Sequence, residues 1–412
     1  MTTDGNARRQ ALRTAWQIAP GVALAGIGGG IVFPILPIVG VQDGLSLAFI
    51  GVILAANRVG RVLTNPFVGM LTDRFGGKRM LITGLLIQAV VMAMYWLGVK
   101  STHPGPWFLA ARLVFGPGSG LVFIGGSTLA LHASTPDNRG IVSGIVSAAS
   151  GLGTPAGMVV GGIVGGIWGA GTAFLAALAA AVVAAAFAIR GVPDVRPQLT
   201  ATRGRARIML KALADARLSA VASLNLLGWF AVNGIAMATL ALLVAGRHLE
   251  WGGMPAETAS GLFLAMMLGA SAAVTPLAGG LADRGRGRAR VASAGMALMI
   301  PGFVLLALST RVLPAFAALL IIGIGLGFLE VPLLAMVGDL VAPSMRGSAV
   351  GILQFFADVG GAVGPVVGTM ALGAWGFTVP YLGTAGVVLL ALPIGLWLIR
   401  AERATAHLSA AN

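Results

Sequence analysis

Six ionisable side chains stand inside long apolar stretches of this 412-residue chain: Arg58, Arg61, Arg112, Glu330, Asp339 and Asp358. A carboxylate in apolar surroundings favours its protonated form and exchanges a proton at an accessible pH. An arginine keeps its charge, lowers the pKa of an acid beside it and offers a planar fork of donors to an anion. Each such charge costs roughly 2.5–3.5 kcal/mol at the centre of a bilayer on insertion scales, so it is seldom kept without use. Proton carriage by an acid and acid or anion pairing by an arginine are the chemistry on offer. Arg58 and Asp358 sit at matched depth on their runs. Asp339 lies near the end of its run, where water can reach it.

The elements that hold these groups follow from composition. Hydrophobic residues make up 57% of the chain and charged residues only 10%, with a mean hydropathy of +0.92. This excludes a soluble domain. Twelve apolar runs are long enough to cross a bilayer as helices: 16–40, 46–71, 79–99, 106–133, 140–166, 171–190, 218–245, 258–282, 290–310, 312–341, 347–374 and 379–400. The first is too long for a signal peptide and is expected to remain as a helix. Glycine, at 62 residues, suits close packing between membrane helices. With no cysteine there is no disulfide or thiolate chemistry, and the four histidines form no metal-ligand pattern.

The net charge of +14 does not point to nucleic acid once the cations are placed. Threading the runs from a cytoplasmic N-terminus puts 21 of 27 Lys and Arg on the cytoplasmic side, three outside (Lys100, Arg247, Arg311) and three within helices. That is the positive-inside asymmetry of a multi-pass membrane protein with both termini cytoplasmic. The long basic stretch 191–217 is a linker between an N-terminal six-helix half, 1–190, and a C-terminal half, 218–412. It is either a solvated connection or, through ARIMLKALADARL, an amphipathic helix on the inner leaflet.

The halves repeat. At a shift of 210, Pro66, Gly69, Leu71, Asp73 and Arg74 fall on Pro276, Gly279, Leu281, Asp283 and Arg284; at 207, PDNRG falls on PSMRG and Gly144, Gly153, Gly157 and Gly161 fall on Gly351, Gly360, Gly364 and Gly368. Parallel six-helix repeats are a transporter construction.

GMLTDRFGGKR at 69–79 resembles, at every position, the G-x-L-x-D-R-x-G-x-K/R-K/R signature of the major facilitator superfamily: Gly69, Leu71, Asp73, Arg74, Gly76, Lys78 and Arg79. The second copy departs, with Gly287 one residue late. Gly144, Gly153, Gly157, Gly161 and Gly162 resemble the helix 5 motif of the drug:proton antiporter branch, with Met158 where that motif has proline; helix 11 keeps Pro365. ARLVFGPGSG resembles the helix 4 motif R-x-x-Q-G through Arg112, with Phe115 in place of glutamine.

The resemblance implies an all-α membrane fold of twelve helices in two pseudo-symmetric bundles. It also implies that Asp73, flanked by Arg74, Lys78 and Arg79, faces the N-terminus of helix 11 as a cytoplasmic latch, with Asp283 and Arg284 as its counterpart toward helix 5. The motif glycines, including Gly351, Gly360, Gly364, Pro365 and Gly368, are expected to let helices 5 and 11 pack and slide against the opposite half, or simply to pack. Helix 10 is a cavity helix of the superfamily, so Glu330 is the first choice for a proton carrier, with Arg112, Arg58, Arg61 and Asp358 as further coupling or substrate residues; helices 2 and 11 are neighbours in that fold, so the resemblance also implies an ion pair of Arg58 with Asp358, either functional or static.

The function expected is proton-coupled efflux of small, largely apolar compounds. An organic-anion carrier using the arginines and a lipid-handling or receptor-like protein are the alternatives. No enzyme activity, cofactor or metal is expected beyond a coupling proton. The partners expected are a small-molecule substrate and the lipid of a bacterial inner membrane, around a monomer.

Overall fold

The computed structural model describes residues 2–134, 138–194, 215–283, 287–341 and 346–410. Every regular element among them is helical, because in lipid only a helix satisfies all its backbone groups within one segment. Twelve helices are long and apolar enough to cross a membrane: α1 (Thr2–Gln42), α2 (Leu47–Phe75), α3 (Gly77–Lys100), α4 (Pro104–Ala133), α5 (Arg139–Trp168), α6 (Ala170–Gly191), α7 (Ala216–Arg247), α8 (Ala256–Leu281), α9 (Arg288–Leu308), α10 (Val312–Leu340), α11 (Arg346–Trp375) and α12 (Thr378–Ala410). The chain is a multi-pass membrane protein. Most of the linker, and with it most of the expected amphipathic helix, falls outside the described residues. At its end, Asp215 caps α7 by accepting from the backbone N–H of Arg217 at 2.8 Å.

Lipid-facing positions carry large apolar side chains such as Leu313 and Leu390. Trp107, Trp168, Trp251 and Trp375 are exposed close to helix ends, Trp16 and Trp397 are exposed about two turns inside the ends of the membrane spans Arg9–Gln42 and Thr378–Ala404, and the Lys100 ammonium lies 4.1 Å from the Trp96 ring. Amphipathic rings at both ends of the helices form the belts that sit at headgroup level.

Packing repeats between the halves of the chain. α1 pairs with α5 as α7 does with α11, α3 with α4 as α9 with α10, and α3 with α6 as α9 with α12. Junction glycines repeat as well: Gly169 (φ 84°) separates α5 from α6, and Gly376 (φ 76°) separates α11 from α12. Gly76 (φ 87°) precedes α3 and Gly287 (φ 80°) precedes α9. A left-handed residue of this kind is accessible to glycine without strain. The late glycine of the second motif therefore does the work of Gly76, one residue further along.

The chain folds as two compact units: Met1–Ser46, Val52–Ala201 and Gly252–Ala265 in unit 1, and Leu47–Gly51, Thr202–Trp251 and Met266–Asn412 in unit 2. The division differs from the expected 1–190 and 218–412 because the first turns of α2 go with unit 2 and the first turns of α8 with unit 1.

Candidate functional site

In unit 1, Asn57, Arg61 and Asn65 recur every four residues and so share one face of α2. That face runs along α4, where a Cβ on Gly116 would lie 2.8 Å from Arg61 N and one on Gly120 2.8 Å from Asn65 Oδ1. Gly116 thus lets the backbone of α2 approach, and Gly120 leaves room for the side chain of Asn65. Arg58 and Arg61 are both half-buried.

Arg112 occupies the same stripe of α4, one turn before Gly116, yet is only 1% exposed. Its guanidinium lies 5.1 Å from the centre of the Phe33 ring on α1. Nε and both terminal nitrogens are buried with no hydrogen-bond partner, and so is the hydroxyl of Tyr95, whose nearness to Arg112 couples the two groups electrostatically. Tyr95 stacks on Phe174 at 4.9 Å and tilts against Phe108 at 6.0 Å. Gln88, two turns earlier on α3, also buries an unpartnered Oε1. The six membrane-spanning stretches of residues 9–191, with that of α2 ending at Asn65, contain no Asp or Glu. A cation–π contact contributes about 0.5–2 kcal/mol, whereas drying a charge costs several kcal/mol, so the ring alone does not compensate this arginine. Neither Tyr95 nor Phe33 is among the residues that the sequence singles out. Tyr95 carries a signal nonetheless, being one of two tyrosines in the chain.

In unit 2, α7 changes to a π-helical segment over Phe230–Ala236, a form often associated with functional sites. The segment meets α11 backbone to backbone: a Cβ on Gly234 would lie 2.7 Å from Gly364 Cα. Trp229 and Asn233 at this point are half-buried in a helix that is otherwise largely enclosed. One turn earlier, Asn225 donates from Nδ2 to Leu353 O at 2.8 Å. On α11, Gln354 Nε2 donates to Asp358 Oδ1 at 3.4 Å, and Asp358 is 1% exposed. Leu329 of α10 packs on Gly228 of α7, and the next residue, Glu330, is half-buried. At 1.5 Å per residue it lies about 15 Å from the Leu340 end of α10. Buried Thr239 of α7 meets the hydroxyl of Tyr381 of α12 at 2.9 Å.

Most of the motif glycines pack within their own half, the second of the two expected roles. A Cβ on Gly153, Gly157 or Gly161 would strike the backbone of Ala23–Gly26, Ile27 or Ile31 respectively, all on α1 of the same unit; one on Gly360, Gly364 or Gly368 would strike α7. These six positions therefore pack within the unit rather than against the opposite half. Spacing by four keeps them on one stripe, and that stripe faces the partner helix within the unit. Gly162 and Pro365 meet helices from the other half of the sequence, whereas Gly144 and Gly351 stand open. Gly162 accepts from Thr258 Oγ1 of α8 at 2.9 Å, Pro365 O faces Gly51 of α2, and Gly144 and Gly351 have nothing within 4 Å of an added Cβ.

At the other ends of the helices, Gly69 and Asp73 lie on α2, with the side chain of Asp73 outside the described set. Arg74 and Arg79 are exposed, Lys78 is half-buried, and Arg74 lies 5.3 Å from the Phe75 ring centre. Arg284 is outside the described residues. Asp283, expected as a second latch, pairs with Arg288 of its own unit at 3.4 Å. Arg288 also bonds Asp339 and donates to Ala335 O at 3.0 Å. Glu402 accepts from the backbone N–H groups of Arg288 and Ala289 at 3.0 and 3.2 Å, and an anion suits a helix N-terminus. Neither Arg288 nor Glu402 carries a sequence signal. Among the described residues no group of three or more His, Cys, Asp or Glu is placed to hold a metal ion.

Comparison with known proteins adds the following. A family model described as Major Facilitator Superfamily matches residues 18–286 and 253–412. The chain is 33% identical over 92 residues to multidrug resistance protein 2 of Bacillus subtilis (strain 168), covering 22% of each chain. It is 29% identical over 99 residues to the quinolone resistance protein NorA of Staphylococcus aureus, covering 24% of each. The matched stretches thus span less than a quarter of these relatives' length. Among solved structures it resembles a bacterial homologue of the human lysosomal transporter Spinster in an inward-facing, occupied conformation (TM-score 0.77, 16% identity, 94% of this chain and 96% of that one). It also resembles the nucleoside transporter NupG (TM-score 0.77, 15% identity, 94% and 99%).

Proposed function

Because the chain belongs to the Major Facilitator Superfamily and is a transporter rather than an enzyme, we propose that it exports small, largely apolar compounds in exchange for protons. The observation that carries this reading is Glu330, a half-buried carboxylate well inside α10. A carboxylate held there is charged only at a cost, so protonation and deprotonation change how readily its surroundings exclude water. Asp358, buried on α11, is the second interior acid. In this reading Glu330 takes a proton from the outside, where the pH is lower, and releases it inside, while the compound moves the other way. The half-buried Trp229, Phe230 and Asn233 on α7 supply an apolar contact surface with one polar handle, as suits such cargo. The names of the two bacterial relatives are in keeping with drug export.

The membrane concerned is the bacterial inner membrane, with both termini cytoplasmic, in keeping with the distribution of Lys and Arg. The test is uptake by proteoliposomes under an imposed pH gradient, with a panel of apolar compounds of differing charge. Accumulation that ignores the gradient for every member of the panel would reject proton exchange.

A further inference from the structure

The buried cluster around Arg112 is rich in donors and holds no anionic acceptor: its acceptors are the neutral Tyr95 hydroxyl and Gln88 Oε1. An arginine carries five N–H donors and accepts nothing, and none of its three nitrogens has a partner. The Tyr95 hydroxyl beside it is equally unpartnered, and the Oε1 of Gln88 makes no hydrogen bond to the guanidinium. No carboxylate is available from any of the six spans of residues 9–191. A cation–π contact recovers only a small part of what drying a guanidinium costs. Four aromatic rings surround the cluster: Phe33 over the guanidinium, Tyr95 itself, and Phe108 and Phe174 against Tyr95. Of these, Phe33 alone is half-buried; Phe108, Phe174 and Tyr95 are at most 1% exposed.

We propose that Arg112 and Tyr95 form a binding site for one small anionic group, a carboxylate or a halide, inside unit 1, with the Phe33 ring as its movable cover. The guest supplies the anionic acceptor that the cluster lacks. Two N–H donors of the guanidinium fork address a carboxylate in parallel, or a halide from one side, and the phenol O–H adds a third donor. Since the nitrogens are shielded in this structure, entry requires the Phe33 ring to turn away. Phe33 is the ring with a face free to do so. The site is independent of Glu330 and of proton exchange.

The test is thermal unfolding of the purified full-length protein in nanodiscs at constant ionic strength, with chloride or benzoate replacing isethionate. The unfolding midpoint should rise saturably with one of the two anions, as binding to the folded state alone requires. A rise with chloride identifies a free inorganic anion; a rise with benzoate alone identifies the carboxylate of an organic cargo. Arg112→Gln should weaken the response at least a hundredfold, and Tyr95→Phe about three- to tenfold, the loss of one hydrogen bond. Phe33→Ala should tighten apparent binding several-fold by destabilising the covered state. If Arg112→Gln fails to fold, Arg112→Lys, which keeps the charge and loses the fork, decides together with the other two variants. No rise with either anion in the parent overturns the proposal, as does an equal rise in the parent and in every variant that folds.

Discussion

Replacing Gly161 by alanine tests whether α5 truly lies backbone to backbone on α1. The new Cβ would stand 2.7 Å from Ile31 Cα and 2.9 Å from Ile31 O, about 1 Å inside ordinary carbon contact. Neither atom belongs to a flexible side chain, so the two helices must separate along a contact that Gly153 and Gly157 also make. Overpacking of this kind costs about 1–3 kcal/mol. Gly144→Ala is the matched control, since nothing lies within 4 Å of its Cβ. Both variants gain the same helix propensity, about 1 kcal/mol, so the difference between them isolates the packing cost. That difference corresponds to a change of about 5- to 150-fold in the folded-to-unfolded ratio. The assay is fluorescence-monitored thermal unfolding of both variants in one detergent. Gly161→Ala should unfold several degrees below Gly144→Ala. Coincident midpoints would refute the backbone contact and the assignment of the glycine stripe to α1.

Thr239→Val should destabilise unit 2 by about 1–3 kcal/mol, because it strands the buried Tyr381 hydroxyl. Adding Tyr381→Phe should restore most of the loss in the same unfolding assay, and additive losses would contradict the pairing. Glu402→Ala should cost about 1 kcal/mol by uncapping α9, with Glu402→Gln intermediate because it keeps an acceptor without the charge. Equal midpoints for Glu402→Ala and the parent would remove Glu402 from that role.

The twelve helices are legible in the sequence because hydropathy and length alone set them, and the repeat is legible because Asp73–Arg74 and the glycines from Gly144 to Gly161 have counterparts at fixed shifts. The charges inside the spans are legible too, since Arg112, Glu330 and Asp358 break apolar runs. Their surroundings are not. Helical periodicity says which residues share a face but not which helix that face meets, so the sequence leaves open whether the glycine stripe meets the opposite half or, as at six of its positions, a helix of its own unit. The π-helical turn at Phe230–Ala236 carries no breaker except Gly234, whose role depends on Gly364, 130 residues away in sequence. Arg288 and Glu402 look like ordinary solvated charges until the end of α12 is placed beside the start of α9. The enclosure of Arg112 by Phe33 and Tyr95 likewise joins α1, α3 and α4, a grouping that no local pattern encodes.

Glu330 is the centre of the functional reading, and Glu330→Gln in proteoliposomes tests it most directly. The amide keeps the size and polarity of the side chain but cannot carry a proton. The account predicts that accumulation driven by a pH gradient falls to background in this variant while exchange of labelled for unlabelled compound, which needs no net proton movement, persists. Uphill accumulation by Glu330→Gln at the parent's rate would contradict it.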